Sequence, residues 1–264
     1  MIAAASLSVQ CRTAGRKEAE KDRARQTSTP SPQEKQTSAF TERMLTNARG
    51  EKMRYLLHVP ASYDRREKYP LILWLHGGGS RGDDLKLLLT YGDQHGIGYL
   101  ARRDVQSSFP SFIVAPQCPR NKLWADPDAD QPSHEMKLVL EILDKVRADD
   151  SIDARRLYVM GISMGGYGTW DIVARRPGLF AAAVPICGGG SPSQAAATVK
   201  TAVWAFHGER DELVNPSESR RMITALRLAG GEPRYTEYKG VGHNSWERTF
   251  SERDLLPWLF TQQR

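Results

Sequence analysis

The chain carries a series of short, continuous apolar runs, each of which ends near glycine, proline or a polar turn. Runs of this length without polar alternation are typical of strands that are buried on both faces of a parallel sheet. The sequence therefore predicts five buried strands, over residues 71–75, 111–115, 157–160, 181–186 and 201–206. An early antiparallel strand over 53–59 and one more strand over 233–238 are also expected.

Segments in which apolar residues recur at three and four positions lie between these runs. This spacing predicts helices over residues 134–148, 164–174 and 217–229, and a final helix from 246 to 260. Strand and helix thus alternate, which favours an α/β fold with a mostly parallel central sheet and helices on both faces. Side chains that carry chemistry are then expected at the carboxyl ends of the strands.

The first 38 residues do not share this pattern. From residue 12 to about 38 the chain is rich in Lys, Arg, Glu, Gln, Ser, Thr and Pro, and such a composition buries too little apolar surface to offset the entropy of ordering. We therefore predict a disordered tail over 1–38 and one folded domain over 39–264. Residues 1–9 resemble a remnant of an export signal without its basic start, so secretion, the periplasm and the cytoplasm all stay open.

Composition changes this picture little. Hydrophobic residues make up 40% of the 264 and charged residues 26%, which is ordinary for a globular chain. Half of the net charge of +6 comes from residues 1–38, and the remaining basic residues form no stripe with aromatic side chains, so no nucleic-acid partner is expected. No apolar run approaches the ~20 residues that a membrane span needs.

A glycine-flanked serine follows one of the predicted strands. Gly161-Ile162-Ser163-Met164-Gly165 comes directly after the strand expected over 157–160 and opens the helix expected over 164–174. This is the context of the GxSxG nucleophile elbow, a strained strand-to-helix turn on which the serine hydroxyl projects outward. The glycines leave room for the backbone segments that approach such a turn. Ser163 is the candidate nucleophile, and a tight glycine turn with an incidental serine is the alternative.

A serine nucleophile needs a histidine base that is itself oriented by a carboxylate. After an elbow of this kind the acid and then the histidine follow in the sequence, so His207 and His243 are the candidates. His243 lies in a glycine-rich loop after the last strand, whereas His207 ends a strand and more naturally supports the loop of the acid. Asp211 is the favoured acid, with its neighbours Glu209 and Glu212 open as substitutes.

Acyl transfer also needs backbone amides that converge on the developing oxyanion. His76-Gly77-Gly78-Gly79 follows the strand over 71–75, the position from which an HGGG-type loop donates one amide while the residue after the nucleophile donates another. Gly78, Gly79 and Met164 are the candidate donors, and the choice between the two glycines stays open. The glycine run lacks the phosphate-binding patterns GxxxxGK[ST] and GxGxxG.

Two tryptophans lie in loops at the expected edge of the site. Trp124 and Trp246 are candidate substrate contacts that would form an apolar wall for an acyl or aryl group, although core packing is equally expected of each.

Together these motifs resemble the bacterial α/β-hydrolases grouped with polyhydroxybutyrate-depolymerase-type and feruloyl-type esterases, some of them described as predicted peptidases. The resemblance extends from about Tyr69 to the end of the chain. It is carried by residues 75–84, 114–119, 161–170, 185–190, 207–211 and 242–246.

This resemblance implies an α/β-hydrolase fold without a large lid, a triad of Ser163, Asp211 and His243, and neither metal nor cofactor. The family's strand order would also separate the strands before Cys118 and Cys187 by three spacings, about 14 Å, which is beyond the reach of a disulfide. We therefore expect free thiols.

The expected activity is that of a serine hydrolase that cleaves carboxylic esters, small or polymer-borne, through an acyl-enzyme. About a dozen residues separate Cys187 from the next strand, where this fold often inserts a lid, so an open and shallow site is expected. A serine peptidase of the same fold is the alternative, followed by a noncatalytic binding protein.

Overall fold

A computed structural model describes residues 39–90 and 94–264, so the tail predicted over residues 1–38 lies outside the described residues. Eight strands form one sheet in the order β1-β2-β4-β3-β5-β6-β7-β8. β2 runs antiparallel to both of its neighbours, and the pairs from β4 to β8 are parallel. The strands are β1 Thr41–Thr46, β2 Lys52–His58, β3 Tyr69–Leu75, β4 Phe112–Pro116, β5 Ile152–Ile162, β6 Ala182–Ile186, β7 Ala202–Gly208 and β8 Arg234–Tyr238.

The α/β fold and all seven predicted strands are confirmed, and β1 is the strand that the sequence pattern missed. Five of its six residues are exposed and only Leu45 is buried. An edge strand that packs so little apolar surface produces no hydrophobic run, and β1 is recognisable only through its antiparallel pairing with β2.

Seven α-helices accompany the described strands. They are α1 Arg103–Ser108, α2 His134–Asp149, α3 Met164–Arg175, α4 Ala195–Thr198, α5 Ser217–Leu228, α6 Trp246–Thr249 and α7 Leu255–Thr261. Short 3₁₀ turns occupy Gly78–Ser80, Leu85–Leu89 and Pro192–Gln194, and a π-helical turn occupies Gln94–Gly98. None of the helices in the described ranges is both long and apolar enough to span a bilayer.

The single closing helix expected over 246–260 is wrong, because the segment forms two short helices, α6 and α7. The polar stretch 251–254 separates them. The Ser251 hydroxyl donates to the Glu247 carbonyl at 2.9 Å, so it competes with the backbone at the point where the helix would continue. A hydrophobic pattern does not register hydrogen bonds of this kind, so the spacing of apolar residues predicted one continuous helix.

Side chains of the central strands alternate between two hydrophobic cores, one on each face of the sheet. Leu71, Leu73 and Leu75 of β3 pack with α2, α3 and α5, whereas Ile72 and Trp74 face the other core, which includes α1 and α7. All five side chains are fully buried. The sheet is therefore covered on both sides, and its carboxyl-terminal edge is left for loops.

The two described cysteines follow strands that are three spacings apart. Cys118 follows β4 and Cys187 follows β6, with β3 and β5 between those strands. Both are buried free thiols, which confirms the prediction for this pair. Cys11 lies outside the described residues.

The connection from Cys187 to β7 contains the turn Pro192–Gln194 and the four-residue helix α4. This stretch of the described chain is too short to hold a separate lid domain, as the sequence spacing predicted.

The start of α3 lies against the ends of β3 and β5, with glycine at both contact points. A Cβ atom on Gly165 would overlap the Leu75 carbonyl oxygen, and one on Gly161 would overlap the backbone of Gly165. In contrast, a Cβ on Gly79 would meet no atom within 4 Å. The close approach of strand and helix therefore requires glycine at 161 and 165.

We predict that Gly165→Ala lowers the free energy of unfolding by about 3 kcal/mol, because the added methyl group meets fixed backbone rather than a flexible side chain. Gly79→Ala is the matched control and should change that free energy by less than about 1 kcal/mol. Urea denaturation of both variants measures the difference. Equal stabilities would contradict the proposed steric constraint.

Candidate active site

Ser163 occupies the turn between β5 and α3 in a conformation that non-glycine residues rarely adopt, with φ 53° and ψ −114°. Its N–H donates to the Ile186 carbonyl at 2.9 Å, and its carbonyl accepts from the Tyr167 N–H at 3.1 Å. These two bonds tie the turn to β6 and to the first turn of α3. Strained conformations of this kind cost about 1–3 kcal/mol and persist only where the surroundings enforce them.

The side chains of Ser163, His243 and Asp211 form one continuous hydrogen-bonded series. His243 Nε2 lies 2.9 Å from Ser163 Oγ, and His243 Nδ1 lies 2.7 Å from Asp211 Oδ2. A carboxylate only accepts, so Nδ1 carries the proton and Nε2 is free to accept from the serine hydroxyl. The His243 side chain is 18% exposed and that of Asp211 is fully buried, so solvent reaches the imidazole but not the carboxylate.

The Asp211 carboxylate is held from the backbone as well. Its Oδ1 accepts from the N–H groups of Leu213 at 3.0 Å and Val214 at 2.9 Å. Of its two acidic neighbours, Glu209 turns away and accepts from the Gly240 N–H at 2.8 Å, and Glu212 is exposed. The structure therefore brings Asp211 to His243 and leaves both glutamates at the surface.

His76, which sequence analysis treated only as part of the glycine motif, is a fully buried centre of hydrogen bonds. Its Nε2 accepts from the Cys118 N–H at 2.9 Å, and its Nδ1 therefore carries the proton and donates to the Gly77 carbonyl at 2.7 Å. Burial lowers the pKa of His76 to about 4. This neutral ring ties the glycine loop after β3 to the segment after β4. Its position between a buried strand and a glycine run was the signal available in the sequence.

Trp124 packs in the core, which is the alternative that the sequence left open beside a substrate contact. Its side chain is fully buried, its Nε1–H donates to the His76 carbonyl at 3.0 Å, and its ring packs edge-on against the His76 ring at 5.0 Å. The indole therefore supports the glycine loop from inside the core.

Trp246 lies where a substrate contact was expected. Its ring is partly buried and stands perpendicular to that of His243, with centroids 5.5 Å apart. The indole thus limits the directions in which the imidazole can turn.

The candidate oxyanion donors lie at the starts of two helical segments. Gly78 begins the 3₁₀ turn Gly78–Ser80, and Met164 begins α3. The first N–H groups of a helix have no partner within it and are available to a ligand. Gly79 is the second residue of the same 3₁₀ turn. All three candidates therefore sit on segments that can present free amides.

Cys187 lies beside Asp211 and His243, and the three together have a spacing at which side chains can hold a metal ion. Asp211 and His243 are hydrogen-bonded to each other, however, and His243 also reaches Ser163. We therefore assign these three residues no role as metal ligands.

A surface cavity of about 810 Å³ lies at the other end of the sheet, where β7 and β8 begin, and is lined in part by Thr201, Arg234 and Trp258. The residues Ser163 and Asp211 follow the carboxyl ends of their strands, so this cavity is not part of the site.

The lowered pKa of His76 predicts a pH-dependent stability. The unfolded chain binds a proton on this residue near pH 6.5 and the folded chain only near pH 4, so stability is lost as pH falls between these values. We expect a loss of about 3 kcal/mol from this group. Urea denaturation at several pH values should give a shallower dependence for His76→Asn than for the wild type. Buried His58 and His207, whose pKa values are also lowered by burial, leave a residual slope in the variant. An unchanged slope would contradict the assignment.

Comparison with known proteins identifies relatives of this chain. A thermostable esterase of known crystal structure is 36% identical with a TM-score of 0.81, covering 86% of this chain and 64% of the esterase. Probable feruloyl esterase C of Aspergillus niger is 25% identical over 198 residues, which are 74% of this chain and 68% of that protein. Poly(3-hydroxyalkanoate) depolymerase C of Paucimonas lemoignei is 37% identical over 67 residues, 25% of this chain and 16% of the depolymerase. The chain thus spans less than two thirds of the esterase and of the depolymerase.

The model of the dienelactone hydrolase family matches residues 120–252, half of the chain, and this match includes Ser163, Asp211 and His243. The chain therefore belongs to the dienelactone hydrolase family and has the α/β-hydrolase fold of the thermostable esterase.

Proposed function

We propose that this protein is a serine esterase in which Ser163 is the nucleophile, His243 the general base and Asp211 the residue that orients it. The observation that carries the proposal is the hydrogen-bonded series from hydroxyl through imidazole to carboxylate, with distances of 2.9 Å and 2.7 Å. A base within hydrogen-bond reach of a serine and itself oriented by a buried acid is the arrangement that nucleophilic catalysis requires.

In the proposed reaction the Ser163 hydroxyl attacks the ester carbonyl while His243 Nε2 takes its proton. The imidazolium then gives this proton to the leaving alcohol, which leaves an acyl group on Ser163. Water, activated by His243 in the same way, releases the acid and restores the hydroxyl. Asp211 keeps the proton on Nδ1 in both steps and stabilises the imidazolium.

The Gly78 amide is our choice for the oxyanion donor of the glycine loop. The Gly77 carbonyl is directed to the buried His76 ring and also accepts from the Ser80 N–H at 3.2 Å. In a trans peptide the next N–H points the opposite way, so the Gly78 N–H is directed away from the His76 ring and the core. Together with Met164 at the start of α3, it would supply the two amides that acyl transfer needs.

The substrate class follows from the exposure of the reacting groups and from the relatives. Ser163 and His243 are both partly exposed, and the connection after Cys187 holds a short 3₁₀ turn and the four-residue helix α4. The relatives include a thermostable esterase and proteins named as a feruloyl esterase and a poly(3-hydroxyalkanoate) depolymerase. We propose that the site takes carboxylic esters that are small or displayed on a polymer.

We predict that Ser163→Ala lowers kcat/KM for p-nitrophenyl acetate and butyrate by about 10⁴-fold or more, because no other group can form the acyl-enzyme. The measurement is initial-rate kinetics for the wild type and the variant. Rapid acid quench with mass spectrometry should detect one acetyl group on the wild type alone.

A peptide p-nitroanilide assayed in parallel separates the alternatives. Cleavage of the anilide with no turnover of either ester would favour a peptidase. No turnover of any of the three by a folded wild-type protein would contradict enzymatic function and favour a binding protein.

We further predict that Gly78→Pro lowers kcat for these esters by about 10²–10³-fold, because proline removes the proposed oxyanion donor. The position accommodates proline: Gly78 is the first residue of its turn, and Gly77 before it is extended at φ −74° and ψ 170°. A Cβ on Gly78 would meet only Arg81, at 3.8 Å or more.

Gly79→Ala is the control for this experiment, since it changes the neighbouring glycine but keeps its amide. It should retain kcat within about 3-fold. If Gly78→Pro folded and kept wild-type kcat, Gly78 would not be a donor.

A further inference from the structure

His207 is a second buried histidine next to the proposed acid, and the reaction described above gives it no task. It lies near the end of β7, four positions before Asp211, and its side chain is fully buried. Its Nε2 lies 2.9 Å from the Val214 carbonyl oxygen and 3.2 Å from Asp211 Oδ2. Its Nδ1 lies 2.8 Å from the Ser219 hydroxyl of α5.

The position of the proton on His207 follows from these partners. The Val214 carbonyl and the Asp211 carboxylate both only accept, so Nε2 carries a proton. That N–H donates to Val214 and presents its positive end to Asp211 Oδ2. His207 Nδ1 lies 2.8 Å from Ser219 Oγ, and the Ser219 hydroxyl donates to the Gly188 carbonyl oxygen, also at 2.8 Å. Burial lowers the pKa of His207.

The oxygen that His207 faces is the one that holds His243. Asp211 Oδ2 accepts from His243 Nδ1 at 2.7 Å, while Oδ1 is occupied by two backbone amides. A dipole that stabilises negative charge on Oδ2 makes the carboxylate a weaker partner for an imidazolium. His207 thus acts against the protonation of His243 through a shared atom.

His207 also holds the acid loop in place. The Val214 residue that accepts from His207 donates its own N–H to Asp211 Oδ1 at 2.9 Å. Through Ser219 the same ring is joined to Gly188, which packs against Gly166 of α3. The imidazole therefore links the loop of the acid to the helix of the nucleophile.

We propose that His207 is a positioning residue that fixes Asp211 and, through the shared oxygen Asp211 Oδ2, disfavours protonation of His243. This inference rests on the proposed function of Ser163, Asp211 and His243. It adds a specific electrostatic task for a side chain that touches no substrate.

The other ionisable groups that face His207 or Asp211 do not titrate near neutral pH. Burial raises the pKa values of Cys187 and Tyr167, which face Asp211 from the end of β6 and from α3. Glu237 on β8 faces His207, and its hydrogen bond with Arg220 lowers its pKa.

Two amide substitutions separate the roles of the two ring nitrogens. His207→Gln places its NH₂ group near the position of Nε2 and can still present a donor to Asp211. His207→Asn places its amide near the position of Nδ1, so it can keep Ser219 as a partner but leaves Asp211 without that donor. The pKa of His243 in each full-length variant can be measured by NMR of ¹⁵N-labelled histidine and by the acid limb of kcat/KM for p-nitrophenyl acetate.

We expect the pKa of His243 to rise by about 0.5–1 unit in His207→Asn, which lowers kcat/KM about 3- to 10-fold on the acid limb. His207→Gln should stay within about 0.2 units of the wild type. His58→Asn is the matched control, because His58 is also buried but contacts Ala39 rather than the site. It should leave the pKa of His243 unchanged.

The proposal would be overturned if the pKa of His243 did not change in folded His207→Asn. It would also be overturned if that pKa changed equally in the Asn and Gln variants. If neither variant folds, Ser219→Ala is the deciding variant. Loss of the hydroxyl that holds the His207 ring should raise the pKa of His243 by a smaller amount. No rise would overturn the proposal. A wild type that hydrolyses no ester would refute the proposed function alone, because the NMR titration still tests this inference.

Discussion

The site depends on the strained backbone of Ser163, held at φ 53° by contacts that only glycine neighbours permit. Gly165 lies against the Leu75 carbonyl and Gly161 against Gly165, so β3, β5 and α3 come closer here than side chains would allow. The bond from the Ser163 N–H to Ile186 fixes the turn to a third element, β6. The strain of about 1–3 kcal/mol is thus offset by packing in the most buried part of the sheet.

Around this turn, two buried histidines hold the loops that complete the site. His76 fixes the glycine loop after β3 to the segment after β4, and the buried Trp124 supports it from below. His207 fixes the loop of Asp211 to α5. Both rings are fully buried, and each has its hydrogen-bonding atoms engaged with backbone or with residues of the neighbouring element. These hydrogen bonds hold two loops at the edge of the sheet as firmly as its core. The candidate oxyanion donors and Asp211 are thereby kept in position for the reaction.

Much of the fold was predictable because the buried strands leave continuous apolar runs, and the elbow was predictable because its glycines are required locally. The order of acid and base along the chain left His207 and His243 as candidate bases, and position in loops favoured His243 and Asp211. The structure joins these two side chains by a hydrogen bond. The exposed edge strand β1 and the break between α6 and α7 were not predictable, since few buried side chains mark either. The direction of the Trp124 side chain depends on a contact with His76, 48 positions away, which no local pattern contains.

In the proposed mechanism, His243 activates Ser163 in the folded protein. Labelling with a fluorophosphonate, followed by peptide mapping, tests this claim without any choice of substrate. We expect one adduct, on the peptide that contains Ser163, and labelling that is lost in Ser163→Ala and greatly slowed in His243→Ala. Labelling that is absent from the wild type, or that persists on another residue in both variants, would contradict the account.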